Sequence, residues 1–169
     1  MRRAFAARGH EAWSCDLLPA EDGDPKHLQC DVFLALRTQW DLVLAFPPCT
    51  HLCVSGNRWY AGTAQRAAAV ELVKKVWLEA PYKLAIENPI GVLSSQWAKP
   101  DQIIQPWQFG HGETKATCLW LRGLNPLRPT RVVKGREQRV WRMGPSEERS
   151  MERSRTYAGV ARAMARQWG

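Results

Sequence analysis

The sequence predicts an α/β fold in which a mostly parallel sheet carries helices on both faces. Short apolar runs of strand length, such as DLVLAF at 41–46, alternate with stretches of helical periodicity. Proline closes two of these runs, at Pro47 and at Pro89. No repeat or low-complexity linker divides the 169 residues, so we expect one domain spanning 1–169.

The elements follow from apolar spacing and from the residues that start or stop them. A helix is predicted from Arg3 to Gly9, because glycine commonly terminates helices. A longer helix is predicted from Thr63, a candidate N-cap, to about Ala80, since Pro81 cannot continue it. The other segments are short apolar runs, at 11–16, 28–33, 41–46, 82–89 and 117–121, and a final helix at 154–168.

Polar or reactive side chains fall at or just past the carboxyl ends of the predicted strands. They are Asp16, Asp31, Cys49 and Glu87. The carboxyl ends of parallel strands form the edge at which ligands bind in such sheets. We therefore expect these side chains to converge on one rim.

Cys49 follows a proline pair at the end of an apolar run. Pro47 and Pro48 fix their own φ angles and remove backbone donors, so they form a stiff turn ahead of the thiol. A cysteine placed in this way is a candidate nucleophile. Glu87, followed by Asn88, places a carboxyl group that can exchange a hydrogen bond with a heterocycle nitrogen. A structural cysteine and an ordinary exposed glutamate are the alternatives that these residues leave open.

Charge and composition limit the classes of partner. Residues 1–127 carry 13 Lys and Arg against 12 Asp and Glu, whereas residues 128–169 carry 11 against 4. A basic end favours a polyanion such as nucleic acid, the alternative being a solvated surface. No apolar run reaches the roughly 18 residues of a membrane span. The odd count of 5 cysteines favours reduced thiols and a cytoplasmic location.

The motifs resemble a known enzyme family. AFPPCTHLCVSG at 45–56 and LAIENPIG at 84–91 look like the nucleophile and glutamate motifs of the DNA (cytosine-5) methyltransferases, in particular their compact phage-borne members. FGHGETKATCLWL at 109–121 resembles a later motif flanking the target base, and the last helix with Tyr157 and Gly159 resembles the terminal motif. The resemblance implies a Rossmann-like S-adenosylmethionine-dependent fold, and methylation of a flipped cytosine through a covalent cysteine adduct in a bacterial or phage-infected cell.

The resemblance also assigns residues to roles. The implied catalytic residues are Pro48, Cys49, Glu87 and Asn88. The implied S-adenosylmethionine contacts are Asp16, Leu17, Asp31, Val32 and Pro47. The implied DNA contacts are Arg58, Lys115, Thr117, Arg136 and Arg139. The resemblance implies no metal ion.

The sequence departs from the family in two places. Family members open with a strand and a glycine-rich turn that holds the cofactor, whereas this chain begins at MRRAFAARGHEA, which resembles the following helix. We therefore expect the first strand of the sheet to be missing. The region available for target recognition, 100–150, is short, so we expect loose sequence specificity or help from a second copy or a partner protein.

Three other interpretations are open at this point. PPCTH at 47–51 is also compatible with a thymidylate-synthase-like transferase acting on free nucleotides. Cys49, His51 and Cys53 alternate and suggest a metal site, although this is not a usual zinc spacing. A degenerate methyltransferase fold that only binds nucleic acid is the non-enzymatic alternative.

The first departure leads to a prediction about the cofactor. We expect this chain to bind S-adenosylmethionine weakly or not at all, because the turn that holds its methionine end is not among these residues. Isothermal titration calorimetry measures this directly, and tight binding would contradict the prediction.

Overall fold

The computed structural model describes residues 1–144 and 146–169, which form a mixed α/β structure. The strands are β1 (Ser14–Asp16), β2 (His27–Gln29), β3 (Val43–Ala45), β4 (Leu84–Pro89), β5 (Gln102–Ile104) and β6 (Thr117–Arg122). The helices are α1 (Arg2–Ala6), α2 (Val32–Ala35), α3 (Asn57–Tyr60), α4 (Ala64–Glu79), α5 (Leu93–Gln96), α6 (Arg139–Arg142), α7 (Glu147–Ser154) and α8 (Ala158–Trp168).

The strands form two sheets. β1 and β2 pair in parallel, and the larger sheet has the order β3-β4-β6-β5. β3 and β4 are parallel, while β6 runs antiparallel to both β4 and β5, so three of its four strands share one direction. Among the described residues, no ladder joins the two sheets. The predicted α/β class is therefore confirmed. The prediction of a mostly parallel sheet is wrong for the larger sheet, because two of its three pairings, both made by β6, are antiparallel.

Helices cover both faces of the larger sheet. Ala85 of β4 and Leu119 of β6 belong to a core cluster with α1 and α8, which includes the buried Met164. Leu84 and Ile86, whose side chains leave β4 on the opposite face, belong to a second cluster with α4. Helices therefore pack on both faces of the larger sheet, as the sequence predicts.

The longest helix begins and ends where the sequence predicts. The Thr63 hydroxyl accepts a hydrogen bond from the backbone N–H of Arg66, the N-cap contact that starts α4. Beyond its last turn, the Arg122 guanidinium donates to the carbonyl oxygens of Trp77 and Ala80, each at 2.6 Å. These carbonyls lack helical partners, so Arg122 ties the end of α4 to β6.

Several boundaries differ from the prediction. Asp31 does not end a strand; it is the N-cap of α2, and its carboxylate accepts from the Phe33 N–H at 2.8 Å. The last helix begins at Ala158 rather than at 154, because α7 occupies the preceding residues through Ser154. The short elements α2, α3, α5, α6 and β5 were not predicted. Pro145, within the predicted recognition region 100–150, lies outside the described residues.

In the part of the chain that the structure describes, no helix has both the length and the apolar character needed to cross a bilayer.

The start of α8 leads to a stability prediction. The Gly159 N–H donates to Nε2 of His111 at 2.9 Å, and a Cβ at this position would overlap the Phe109 carbonyl oxygen. We expect Gly159→Ala to lower the free energy of unfolding by about 1–3 kcal/mol, because backbone must move to relieve the overlap. Chemical denaturation measures the change.

The matched control for this substitution is Gly144→Ala. Apart from its own chain neighbours, no atom of the described residues lies within 4 Å of the place where its Cβ would be. We expect this variant to unfold within about 0.5 kcal/mol of the wild type. An equal loss of stability in both variants would contradict the assigned close contact.

Candidate functional site

The cysteine and glutamate motifs meet because their strands are neighbours. β3 and β4 pair in parallel with Ala45 opposite Ile86. Glu87 directly follows Ile86, and Cys49 lies four residues after Ala45, beyond the proline pair. Both side chains therefore emerge at the carboxyl end of the same pair of strands, as predicted for Cys49 and Glu87.

Asn88 fixes the proline turn to the glutamate strand. Its side-chain amide donates to the Pro47 carbonyl oxygen at 2.9 Å, and only 1% of the residue is exposed. A buried amide held in this way restrains the turn that carries Cys49. Asn88 therefore lies within the site as expected, and its contact with Pro47 is structural.

A second connection joins the segments that follow the two motifs. The Val92 N–H donates to the Leu52 carbonyl oxygen at 2.8 Å, and the Val54 N–H donates to that of Ile90 at 3.2 Å. Between them lies Gly91, where any Cβ would overlap the Leu52 carbonyl. Glycine is thus required here for close backbone approach.

A cleft of about 610 Å³ opens beside these motifs. That volume lies within the usual range of small-molecule sites, roughly 300–1,000 Å³. One wall comes from the two motifs and the start of β6, and the other comes from the region of α6 and α7. Its charged and thiol-bearing lining residues are Cys49, Cys53, Glu87, Lys115, Arg149 and Arg153.

Glu87 and Lys115 form a partly buried pair of ionisable groups. Burial raises the pKa of the Glu87 carboxyl, with the charge of Lys115 acting in the opposite direction. Burial likewise lowers the pKa of Lys115, which the charge of Glu87 partly offsets. Each group is therefore shifted towards its neutral form, and a protonated Glu87 can act as a hydrogen-bond donor.

Lys115 also links the sheet to the opposite wall. Its ammonium group donates to the carbonyl oxygens of Arg153 and Arg155, at 2.6 and 3.0 Å. These carbonyls lie at the carboxyl end of α7. Thr117, at the start of β6, donates from its hydroxyl to the Lys115 carbonyl at 3.1 Å. Both residues, predicted to contact DNA, lie next to Glu87.

The two cysteine sulfurs share one guanidinium. Arg153 Nη2 lies 3.3 Å from the Cys53 sulfur and 3.9 Å from the Cys49 sulfur. Hydrogen bonding from Cys49, with further contributions from Ser55 and Arg153, lowers the pKa of Cys53. Hydrogen bonding to Cys53 and burial raise the pKa of Cys49.

A buried arginine holds the loop after Cys49. Arg66, with 4% of its surface exposed, donates to the His51 carbonyl and to the Asn57 side chain, both at 2.8 Å. Its remaining Nη2 has no partner among the described residues. Arg66 is thus a strut between α4 and the loop that carries Cys49.

Exposed apolar side chains surround the cleft. Trp141 is 73% exposed, and Phe46, Val54 and Ile90 are also exposed while lining the cleft. Aromatic surfaces of this kind provide stacking platforms for planar rings. The cleft therefore combines thiol, carboxyl and stacking groups.

The predicted cofactor residues divide between two places. Pro47 lines the cleft, whereas Asp16, Leu17, Asp31 and Val32 lie around β1 and α2 and are not among the lining residues. Asp16 and Asp31 are neighbours, since the Cys30 N–H donates to the Asp16 carbonyl at 3.1 Å. The expected convergence on one rim is seen for Cys49 and Glu87 within this cleft, and Asp16 and Asp31 form a separate pair.

The other predicted DNA contacts are distributed over the surface. The guanidinium of Arg58 lies 5.3 Å from the ring of Trp59, and that of Arg136 lies 3.8 Å from the ring of Trp107. Arg139 pairs with Glu113 at 3.2 Å and with Glu152 at 2.8 Å. Arg58 and Arg136 are exposed cations, whereas the charge of Arg139 is already paired.

The metal interpretation finds no support in the geometry. In the ranges 1–144 and 146–169, no three His, Cys, Asp or Glu side chains are arranged to hold a metal ion. The His51 ring packs edge-on against Tyr60, with ring centroids 4.3 Å apart. Cys49 and Cys53 contact a guanidinium, which disfavours a bound cation.

Comparisons with known proteins do not assign the chain to a family. No protein-family model matches it, and no curated protein matches it with significant similarity.

Arg66 and Arg153 are site residues that the sequence analysis did not include, and Cys53 entered it only as a possible metal ligand. The spacing of Cys49 and Cys53 carries a signal, because residues four apart share one side of a helical turn. Arg153 carries none, since it lies 104 residues from Cys49 along the chain.

Burial of Glu87 predicts a pH-dependent effect of Glu87→Gln. The folded-state pKa of Glu87 is raised, so its stabilising contribution is present at low pH and is lost as the pH rises through that value. We expect the variant to become more stable relative to wild type between pH 4 and pH 8, so that its relative melting temperature rises. The expected gain in the free energy of unfolding is about 1.4 kcal/mol per unit of pKa shift.

Thermal unfolding followed by circular dichroism at several pH values measures this difference. Glu21→Gln is the matched control, because Glu21 is exposed. The same pH trend in both variants, or no trend in Glu87→Gln, would contradict the assigned burial of Glu87.

Proposed function

We propose that this chain is a DNA cytosine C5 methyltransferase with a Rossmann-like fold. One observation carries the proposal: the Cys49 thiol and the Glu87 carboxyl, from neighbouring parallel strands, line the same cleft. Cytosine C5 chemistry requires a nucleophile for C6 and a hydrogen-bonding group for the ring nitrogen. The resemblance of the two motifs to the family assigns these roles to the same two residues.

The chemistry begins with Cys49. C5 of cytosine is a poor nucleophile until a thiolate adds to C6, which moves the electrons of the C5–C6 double bond towards C5 and the ring nitrogens. A protonated Glu87 beside N3 offsets the charge that builds on the ring, consistent with the raised pKa of this carboxyl. Once C5 has bonded to an electrophile, a base removes the original C5 proton, and the electron pair of that C–H bond re-forms the C5–C6 double bond as the Cys49 sulfur leaves.

The methyl donor fits the residues around β1 only in part. Asp16 ends β1 and Asp31 is the N-cap of α2, and both carboxylates are exposed, which suits the ribose and adenine of S-adenosylmethionine. When bound, this cofactor would supply the methyl group to C5. Among the described residues, β1 and β2 form a two-stranded sheet that does not pair with the larger sheet.

Features of the cleft also suit a nucleic-acid substrate. A cytosine within a duplex must leave the base stack to reach a buried thiol, and the exposed Trp141 and Phe46 offer stacking surfaces for such a base. Arg58 and Arg136 provide exposed cations for phosphates. DNA is therefore the proposed substrate, and a second copy of the chain would extend the recognition surface.

The first arm of the test separates addition from methyl transfer. Duplex DNA carrying tritium at cytosine C5 should exchange it with water without any cofactor, because addition of Cys49 to C6 lets C5 take a proton from solvent and then lose the tritium as the sulfur leaves. We expect Cys49→Ser to reduce this release by at least about 10³-fold, as for loss of other enzyme nucleophiles. Cys15→Ser, at a thiol outside the cleft, should leave it unchanged.

The second arm supplies S-adenosylmethionine and measures 5-methylcytosine in the DNA. Transfer that requires Cys49 supports the full proposal. DNA binding with neither tritium release nor methyl transfer would contradict it and would favour the non-enzymatic alternative. Release from free cytidine nucleotides but not from DNA would favour the nucleotide-level transferase.

A further inference from the structure

The loop after the proline pair places two sulfurs on the same side of one turn. The Cys53 N–H donates to the Cys49 carbonyl at 3.0 Å, which closes a single helical turn. Side chains four residues apart on such a turn are neighbours. Both sulfurs line the cleft, although the Cys53 residue as a whole is only 4% exposed.

The C-terminal part of the chain supplies the positive charge for this pair. Arg153 Nη2 approaches both sulfurs, the nearer being that of Cys53 at 3.3 Å. The Ser55 hydroxyl lies 3.0 Å from the Cys53 sulfur and 3.5 Å from the same guanidinium nitrogen. A thiolate at Cys53 would therefore be stabilised by more hydrogen-bond donors than a thiolate at Cys49.

The position of Arg153 is itself fixed. The Lys115 ammonium holds the Arg153 carbonyl at 2.6 Å, so the backbone that carries the guanidinium is attached to the sheet. Among the described side chains, the charged and titratable groups that act on the sulfur pair are Glu87 from β4, Lys115 ahead of β6 and Arg153 from α7, and Arg149 of α7 also lines the cleft.

Electrostatics limits this pair to one negative charge. A cation within hydrogen-bonding distance stabilises the first thiolate, whereas the second would form beside an existing negative charge and Glu87. Two thiols that lie beside the same guanidinium therefore titrate as a coupled pair, with one proton between them over a wide pH range.

We propose that Cys53 and Arg153 belong to the catalytic machinery: Arg153 maintains one negative charge on the sulfur pair, and Cys53 accepts the proton of Cys49 during attack. The identity of the electrophile, cytosine C6, rests on the function proposed above. The charge state of the pair does not rest on it.

The proton transfer balances without any added reagent. The Cys49 S–H bond breaks and its proton forms an S–H bond with the Cys53 thiolate. The electron pair left on the Cys49 sulfur forms the bond to C6, and the negative charge moves from Cys53 to the ring. Reversal of the same steps returns the proton to Cys49 when its sulfur leaves.

The test is a pH titration of thiolate absorbance in the free protein, without DNA or cofactor. We expect one thiolate to form in the wild type at a pH well below the ordinary cysteine pKa of about 8.5. Burial raises the pKa of Cys15 and of Cys118 to about 11, so these thiols do not contribute there. The double variant Cys49→Ser with Cys53→Ser supplies the baseline.

Single variants assign the charge. We expect Arg153→Gln to raise this first pKa by at least about one unit, tenfold in the acid constant, and Arg153→Lys to restore part of the shift. Cys49→Ser should retain the low-pH thiolate, because a serine hydroxyl can still donate to Cys53, whereas Cys53→Ser should lose it. Arg155→Gln is the control, since its side chain pairs with Glu152 instead.

Two results would overturn the inference. One is a wild-type titration curve that Arg153→Gln leaves unchanged, and the other is a low-pH thiolate that survives in Cys53→Ser but disappears in Cys49→Ser. Either result leaves the tritium-release test of the proposed function unaffected. Conversely, failure of methyl transfer would leave the titration, and the charge state that it reports, in place.

Discussion

The parallel pairing of β3 with β4 is the constraint on which the candidate site depends. Its register puts Ala45 beside Ile86, so the residues that follow both strands leave the sheet together. A shift of one residue would turn the side chain of Glu87 to the other face. The buried bond from Asn88 to Pro47 then converts this register into a fixed position for the nucleophile turn.

Acidic, basic and thiol side chains lie close together in the cleft, where they are partly removed from water, and this determines the electrostatics of the cleft. Burial shifts Glu87 and Lys115 each towards the neutral form, while the Arg153 guanidinium lies 3.3 Å from the Cys53 sulfur. Such an arrangement costs stability, because ionisable groups lose hydration that their partners replace only in part. Perturbed groups concentrated in one cleft are typical of functional sites.

Local signals account for what the sequence could predict. The bounds of α4 follow from Thr63 and Pro81, and the ends of the site strands follow from Pro47 and Pro89. The four-residue helices were missed because one turn is too short to show helical periodicity. In the same way, Asp31 looked like a residue at a strand end, although its carboxylate starts a helix.

Long-range contacts account for most of what the sequence could not predict. The approach of Arg153 to the sulfurs depends on a fold that brings together residues about a hundred positions apart. No local pattern encodes this approach. The motif residues Cys49 and Glu87 were identifiable because each lies next to a strand end, whereas the groups that tune them come from elsewhere in the chain.

The close backbone approach at Gly91 has a mechanical consequence. It joins the segments after Cys49 and after Glu87 with little space between them, so thiol and carboxyl shift as one rigid body. The opposite wall is attached through polar side chains, such as Lys115 on the Arg153 carbonyl and Arg139 on Glu113. Among the described contacts, the two walls therefore differ in kind, and salt, which screens exposed charges, is expected to weaken the pair of Arg139 with Glu113 more than the backbone contact at Gly91.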